Sequence, residues 1–258
     1  MSTDAGAPAG TAPARVPLPV AIGRVLFNLR NALVPVAFIV FALASRPRYP
    51  FGSARWNLAL DLLGLAVAFA GQALRVAVIG LDYIQRGGKN RQIHADHLVT
   101  GGFFAHSRNP LYVGNMLIYS GLFLVLNSPA GYLVGVPFFI GAYLCITAAE
   151  EEYLARTFGA EYEAYRARVP RFWPHWSGLG ATMRGMEFDW RRVVRKEYGT
   201  TFSWLTTAIA LLYWQALRNE APGATRATLW TALALWTPVV LAYGVARFMK
   251  KSGALKSA

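Results

Sequence analysis

Apolar residues in this chain gather into six blocks instead of alternating, and each block is long enough to form a helix in a bilayer. The first runs from about Leu26 to Ser45 and the second from about Leu58 to Leu81. The third starts at Pro110 and ends near Leu126; the fourth returns from Gly131 to about Ala149. A fifth, short and rich in Thr, covers about Thr201 to Leu217, and a sixth about Ala227 to Phe248. Polar stretches at 83–109 and 150–200 separate them. Asn127-Ser128-Pro129-Ala130-Gly131 has the composition of a tight turn, so the third and fourth blocks form a helical hairpin. The fold class expected is all-α, a polytopic transmembrane bundle of about six spans with the polar connections outside the hydrocarbon.

The hairpin brings distant residues together. Asn109 suits an N-cap and Pro110 the first helical position, where a missing N–H costs nothing. Descending from 110 to 126 covers roughly 24 Å and climbing from 131 to 150 roughly 28 Å. "EEEYL" at 150–154 therefore returns to about the depth of Arg108 and Tyr112, forty residues away in sequence.

Composition agrees with a membrane location. Of 258 residues 55% are hydrophobic and only 15% charged, with 8 Trp, 12 Tyr and 15 Phe. The net charge of +13 suits a nucleic-acid partner less well than orientation in a bilayer, because the cations lie between the apolar blocks. Twenty of the 26 Lys and Arg fall on the side of the N-terminus, 83–109, 150–200 and the C-terminus. Five (Arg46, Arg48, Arg55, Arg218 and Arg226) fall on the other, and Arg75 is within a span. The richer side is expected to be cytoplasmic, in a multi-pass protein of a bacterial inner membrane. Residues 1–20, rich in Ala, Pro and Gly, read as a disordered tail, and the lone Cys145 as a small buried hydrophobe.

Chemistry concentrates at the mouth of the hairpin. A helix start with Arg108 beside it suits a carboxylate; Glu150 and Glu151 suit an ammonium or ribose hydroxyls. S-adenosylmethionine carries all of these groups and is the expected cofactor. Single residues also have plainer readings. Arg108 could anchor to lipid phosphate, Tyr112 could belong to an interfacial belt, and Gly114 could serve close helix packing. Glu152 is expected to pair with Arg156 at i+4. Arg75 could mark a pathway, pair with Asp61 or Glu151, or snorkel. His94 and His97 in "HADH" make too thin a set for zinc, so no metal is expected. The basic run "RRVVRKEYG" (191–199) reads as an amphipathic segment at the lipid surface.

The ordered set Leu98-Val99-Thr100, Gly102, Arg108-Asn109-Pro110-Leu111-Tyr112-Val113-Gly114, Glu150-Glu151, Leu154, Phe158-Gly159, Tyr162, Tyr165 and Val169-Pro170-Arg171 resembles a known group. It is that of the integral membrane methyltransferases around isoprenylcysteine carboxyl methyltransferase and the phospholipid methyltransferases. Gly71 and Arg75 also fit that family's G-x-x-x-R, so the resemblance covers about 71–174. It implies methyl transfer from S-adenosylmethionine to a lipophilic or small membrane-permeant acceptor arriving from the lipid. On it, Arg108 and Glu151 are the catalytic candidates. Leu98, Val99, Thr100, Gly102, His106, Arg108, Asn109, Tyr112, Glu150 and Glu151 are the cofactor-binding candidates, with Arg171 and Arg75 behind them. Two positions depart from the pattern: Asn109 stands where the family has His, and Phe104 where it has Tyr. An amide can replace a hydrogen bond but cannot titrate. Residues 21–175 are expected to form the methyltransferase core and 176–258 an extension with two further spans. Rival readings are an NADPH-dependent reductase of the sterol-reductase type and a non-enzymatic scaffold; the acceptor and the oligomeric state are not legible.

Overall fold

The computed structural model describes residues 16–45, 47, 49–81, 95, 97–219 and 225–255, apart from the side chains of Asn31 and Thr225. Seven α-helices account for most of them: α1 (Leu18–Ala44), α2 (Ala54–Leu81), α3 (Pro110–Leu126), α4 (Val136–Arg168), the single turn-and-a-half α5 (Leu179–Arg184), α6 (Trp190–Asn219) and α7 (Thr225–Lys251). No strand occurs among the described residues. The molecule is the helical membrane bundle expected.

All six apolar blocks are helices, but their bounds differ. Among the described residues, three segments are long and apolar enough to cross a bilayer, namely Ala54–Leu81, Gly131–Arg168 and Arg226–Lys251. The two halves of α1, Leu18–Arg30 and Ala32–Ala44, meet at 87° and make a fourth span if they cross as one. The helix α3 has 17 residues, the lower limit for a crossing of about 30 Å. The fifth block is not a short helix from Thr201. The basic run before it belongs to the same 30-residue α6, since "RRVVRKEYG" has no proline and a single glycine is tolerated within a helix. Helix α1 likewise starts ahead of Leu26, at Leu18; residues 1–15 of the expected tail lie outside the described residues.

Close backbone contact fixes the centre. On α2, Gly64, Ala68 and Gly71 face Gly114 and Gly121 of α3, seven residues apart on each helix and running antiparallel. A Cβ on Gly71 would lie 2.6 Å from the Gly114 carbonyl oxygen. Small residues let two helices approach this way in lipid, where van der Waals packing replaces the hydrophobic drive. At the hairpin tip Asn127 adopts a left-handed conformation (φ 51°), which Asn tolerates better than most residues. A π-helical turn, Gly131–Gly135, then opens α4. Phe38, Phe123, Phe139, Tyr119 and Tyr143 fill the space between α1, α3 and α4.

Helix α6 is bound to α2 and α3 by polar contacts at both ends. At its start, the Asp189 backbone N–H donates to the Gly80 carbonyl at 2.9 Å. Toward its end, Gln215 donates to Asp61 (3.0 Å) and to the Val125 carbonyl (2.6 Å) and accepts from Asn57 (2.6 Å). Asn127 and Tyr132 extend that buried cluster across the hairpin tip. Asp61 is thus held by Asn57 and Gln215, and Arg75 finds its partner elsewhere. Helix α7 packs on α6 through Tyr243 against Tyr198 and Phe202, and its opposite face is exposed.

Candidate functional site

The chain from 97 to 109 and the start of α3 form one wall of the site, and the long α4 forms the other. Because α4 continues past Ala149, its acidic run is helical, and beyond a break at Gly159 (φ 51°) its later turns reach Phe104 and Arg108 through Tyr165 and Tyr162. Residues 106–108 are pinned to the strap that follows α4. Arg108 N–H donates to the Pro170 carbonyl and His175 N–H to the His106 carbonyl, both at 2.9 Å. The Ser107 hydroxyl donates to the Phe172 carbonyl at 2.9 Å. "HSRN" and "VPRFWPH" are therefore one structural unit.

Glu151 is the hub. Its two carboxylate oxygens face separate guanidinium groups, Arg108 at 3.2 Å and Arg171 at 2.9 Å. The Asn109 amide donates to Glu151 at 3.3 Å and to the Arg171 carbonyl at 3.1 Å. One turn along α3, the Tyr112 hydroxyl donates to Glu150 at 2.5 Å. The Tyr162 hydroxyl accepts from Arg108 at 3.3 Å, and that of Tyr165 donates to the Phe104 carbonyl at 2.8 Å. The return of 150–154 to the depth of 108–112, expected from helix rise alone, is what the structure has.

Several details depart from expectation. Arg108 and Glu151 do not face each other across a gap; they are paired directly, with side chains only 10% and 12% exposed. Arg171, 36% exposed, is the more reachable guanidinium. Asn109 occupies the N-cap position, and its carbonyl accepts from Tyr112 and Val113. Its side chain does not cap, because Glu151 and the Arg171 carbonyl take its amide protons. His106 is buried with both ring nitrogens engaged, by the His175 carbonyl at 2.8 Å and the Thr182 hydroxyl at 2.9 Å. In the neutral ring Nδ1–H donates to the carbonyl and Nε2 accepts from the hydroxyl. Leu98 packs with Leu154, Tyr162 and Tyr165, and Val99 packs with Val78, Phe103 and Phe104. Thr100 is exposed, and Gly102 has φ 56°, a conformation costly for any residue with a Cβ.

Arg75 is bound to neither Asp61 nor Glu151. Its guanidinium meets Glu197 of α6 in a two-pronged pair, Nε at 2.8 Å and one terminal nitrogen at 2.6 Å. The other terminal nitrogen donates to Asn115 at 2.7 Å and to the Leu111 carbonyl at 3.3 Å. Gln72 joins through Glu197 and Trp204. Gly114 packs on Gly71 and the Arg75 stem, as its packing reading predicts. Glu197 carried no sequence signal: it sits in a basic run that reads as surface. Tyr162 stood in the quoted motif without an assigned contact. Glu152 pairs with Arg156 as expected, and also with Arg24 of α1 at 2.8 Å. His94 lies outside the described residues, His97 is exposed, and no cluster able to hold a metal occurs among the described residues.

The family model for phospholipid methyltransferases matches residues 61–161. A curated relative, the cobalt-zinc-cadmium resistance protein CzcN of Cupriavidus metallidurans, is 32% identical over 147 residues. That match covers 54% of this chain and 61% of the relative, less than two thirds of its length. No solved structure matches. Helix α6 and the strap bearing Arg171 lie beyond the family match, whereas α2 from Asp61 onward, α3, the hairpin tip and the acidic run of α4 lie inside it. Residues 61–161, holding both the Arg108 motif and the Glu150–Glu151 pair, are thus the part of the chain that is similar to the phospholipid methyltransferases.

Proposed function

We propose that the chain transfers a methyl group from S-adenosylmethionine to a lipophilic or small membrane-permeant acceptor, with its site at the cytoplasmic face of a bacterial inner membrane. The observation that carries this is the cluster of Glu150, Glu151, Arg108 and Arg171 where α3 begins, inside or directly beside the family match. Orientation rests on the excess of Lys and Arg at that end of the bundle. Residues 21–175 are taken as the catalytic core and 176–258 as an extension.

The residues fit such a cofactor. Arg171 Nε is buried with no acceptor among the described residues, so a ligand carboxylate has a donor waiting on a half-exposed guanidinium. Glu150, held by Tyr112, and Glu151 provide the negative charge that an ammonium or ribose needs. When bound, S-adenosylmethionine supplies a methyl group on a positively charged sulfur. Arg108, more deeply buried, fixes the Glu151 carboxylate and positions it. His106 and Ser107 hold the 170–175 strap, and with it Arg171, against the helix start. Asn109 orients Glu151 and its amide does not titrate near neutral pH, so it is given no part in proton transfer. A carboxylate or thiolate acceptor needs none, because it arrives already charged and a dry site favours its reaction with a cation. Alignment of acceptor and methyl then supplies much of the rate.

The test is labelled methyl transfer from S-adenosylmethionine into a total membrane extract, alongside thermal unfolding with S-adenosylhomocysteine and with NADPH. Labelled product and stabilisation by S-adenosylhomocysteine alone are expected. Stabilisation by NADPH alone would favour a reductase, and by neither ligand a scaffold.

A further inference from the structure

Between α6 and α7 lies a slot lined by none of the residues assigned to the cofactor. Val194, Tyr198, Thr201, Phe202, Tyr243 and Ala246 are among its walls, and its volume is about 470 Å³, within the range of about 300–1,000 Å³ typical of small-ligand sites. Its lining is almost wholly apolar, and it opens sideways beside the exposed Leu241, Val245 and Phe248 of α7. An apolar slot facing hydrocarbon suits an acyl chain.

One end of the slot is strongly basic. The start of α6 and the end of α7 lie together there and carry Arg195, Lys196, Arg247, Lys250 and Lys251. Two of these cations rest on tyrosines of the slot wall. The Lys250 ammonium is 5.0 Å from the centre of the Tyr198 ring, and Arg247 donates to the Tyr243 hydroxyl at 3.0 Å. Neither is ion-paired with a carboxylate among the described residues. Arg195 Nε is buried without an acceptor among them. Two acids of this region are already engaged: Glu197 is neutralised by Arg75, and Asp189 is occupied by Arg192. A zwitterionic headgroup carries no net charge to match this rim, whereas an anionic phosphate does.

We propose that the α6–α7 slot binds an anionic phospholipid, one acyl chain lying between the helices and the phosphate held at Arg247 and Lys250. Val76 and Glu197 form the slot's inner wall, so the bound chain packs directly behind the Arg75–Glu197 pair. The lipid thereby presses α6 onto α2 and stabilises the junction between the family segment and the helices beyond it.

The full chain is purified in detergent and its thermal unfolding followed on adding phosphatidylglycerol or phosphatidylcholine, with native mass spectrometry to count retained lipid. Phosphatidylglycerol is expected to raise the unfolding temperature by about 3 °C or more beyond phosphatidylcholine, with one lipid retained per chain. Arg247→Ala combined with Lys250→Ala removes the difference between the two lipids. Ala242→Trp, which fills the slot from an exposed position on α7, removes retention. Both variants should unfold near the wild-type temperature in phosphatidylcholine. Equal stabilisation of the wild type by the two lipids overturns the proposal, as does an unchanged phosphatidylglycerol increment in the charge variant, whose substitutions lie on an exposed face and spare the fold. Neither readout uses S-adenosylmethionine, so failure here leaves the methyl-transfer test untouched.

Discussion

Glu151 receives Arg108, Arg171 and the Asn109 amide on two oxygens, so its charge and its orientation are set by three groups from two parts of the chain. Its substitution by Gln keeps the shape and removes the charge, leaving two guanidinium groups to repel each other. We expect Glu151→Gln and Arg108→Ala each to abolish S-adenosylhomocysteine binding, measured by calorimetry, while the protein still inserts. Normal affinity in both would remove the site assignment. Asn109→Ala tests a subtler point. Hydrogen bonds to charged groups contribute about 1.5–3 kcal/mol, and 1.4 kcal/mol is a factor of ten. The variant should therefore lose roughly tenfold or more in affinity without losing the Arg108–Glu151 pair. Asn109 was legible as a helix-start residue; that its side chain spans to Glu151 was not, because only the strap at 170–175 turns it away from the helix.

The elements divide their work unequally. Helices α2 and α3 meet through glycines, which brings Arg75 beside Asn115, and α6 then supplies the one carboxylate that neutralises Arg75. Removing a single partner from a buried ion pair costs about 3–5 kcal/mol, whereas replacing both with apolar residues is often neutral. Glu197→Ala should therefore lower thermal stability sharply, and Arg75→Met with Glu197→Leu should recover most of it. Equal losses in the two variants would show that the pair itself, and not the orphaned charge, carries the effect. At the start of α6, Asp189 accepts the Arg192 N–H at 3.0 Å, and that contact holds its carboxyl below the usual aspartate range. A carboxyl depressed on folding stabilises above its unfolded pKa and ceases to do so as pH falls through the folded value. Asp189→Ala should thus unfold at a lower temperature than wild type at neutral pH and at the same temperature in strong acid.

At the scale of the molecule, the division into a core and an extension is tested by truncation. A chain ending after Asn219 keeps the polar contacts of α6 with α2 and α3 and gives up only the weakly buried α7. A chain ending at residue 188 also strips Gln215 from Asp61 and Glu197 from Arg75, leaving two charges stranded within the bundle. The first should insert and bind S-adenosylhomocysteine, as followed by size-exclusion chromatography and thermal shift. The second should aggregate. Retained binding by the shorter chain would make residues up to 188 an independent unit.

The sequence alone determined the number and order of the apolar helices, the hairpin, and the depth at which Arg108 and Tyr112 meet Glu150 and Glu151. These follow from hydropathy and from a fixed rise per residue, both local properties. It also carried the family resemblance, in motifs whose spacing a single hairpin preserves. Beyond the local Glu152–Arg156 pair, tertiary structure alone decided which buried polar groups meet. Glu197 with Arg75, Gln215 with Asp61, and Arg171 with Glu151 join residues 122, 154 and 20 positions apart only when the chain folds back on itself, and no periodicity marks them beforehand. In lipid, where an unmatched charge has no water to turn to, those pairings settle how the helices stand together.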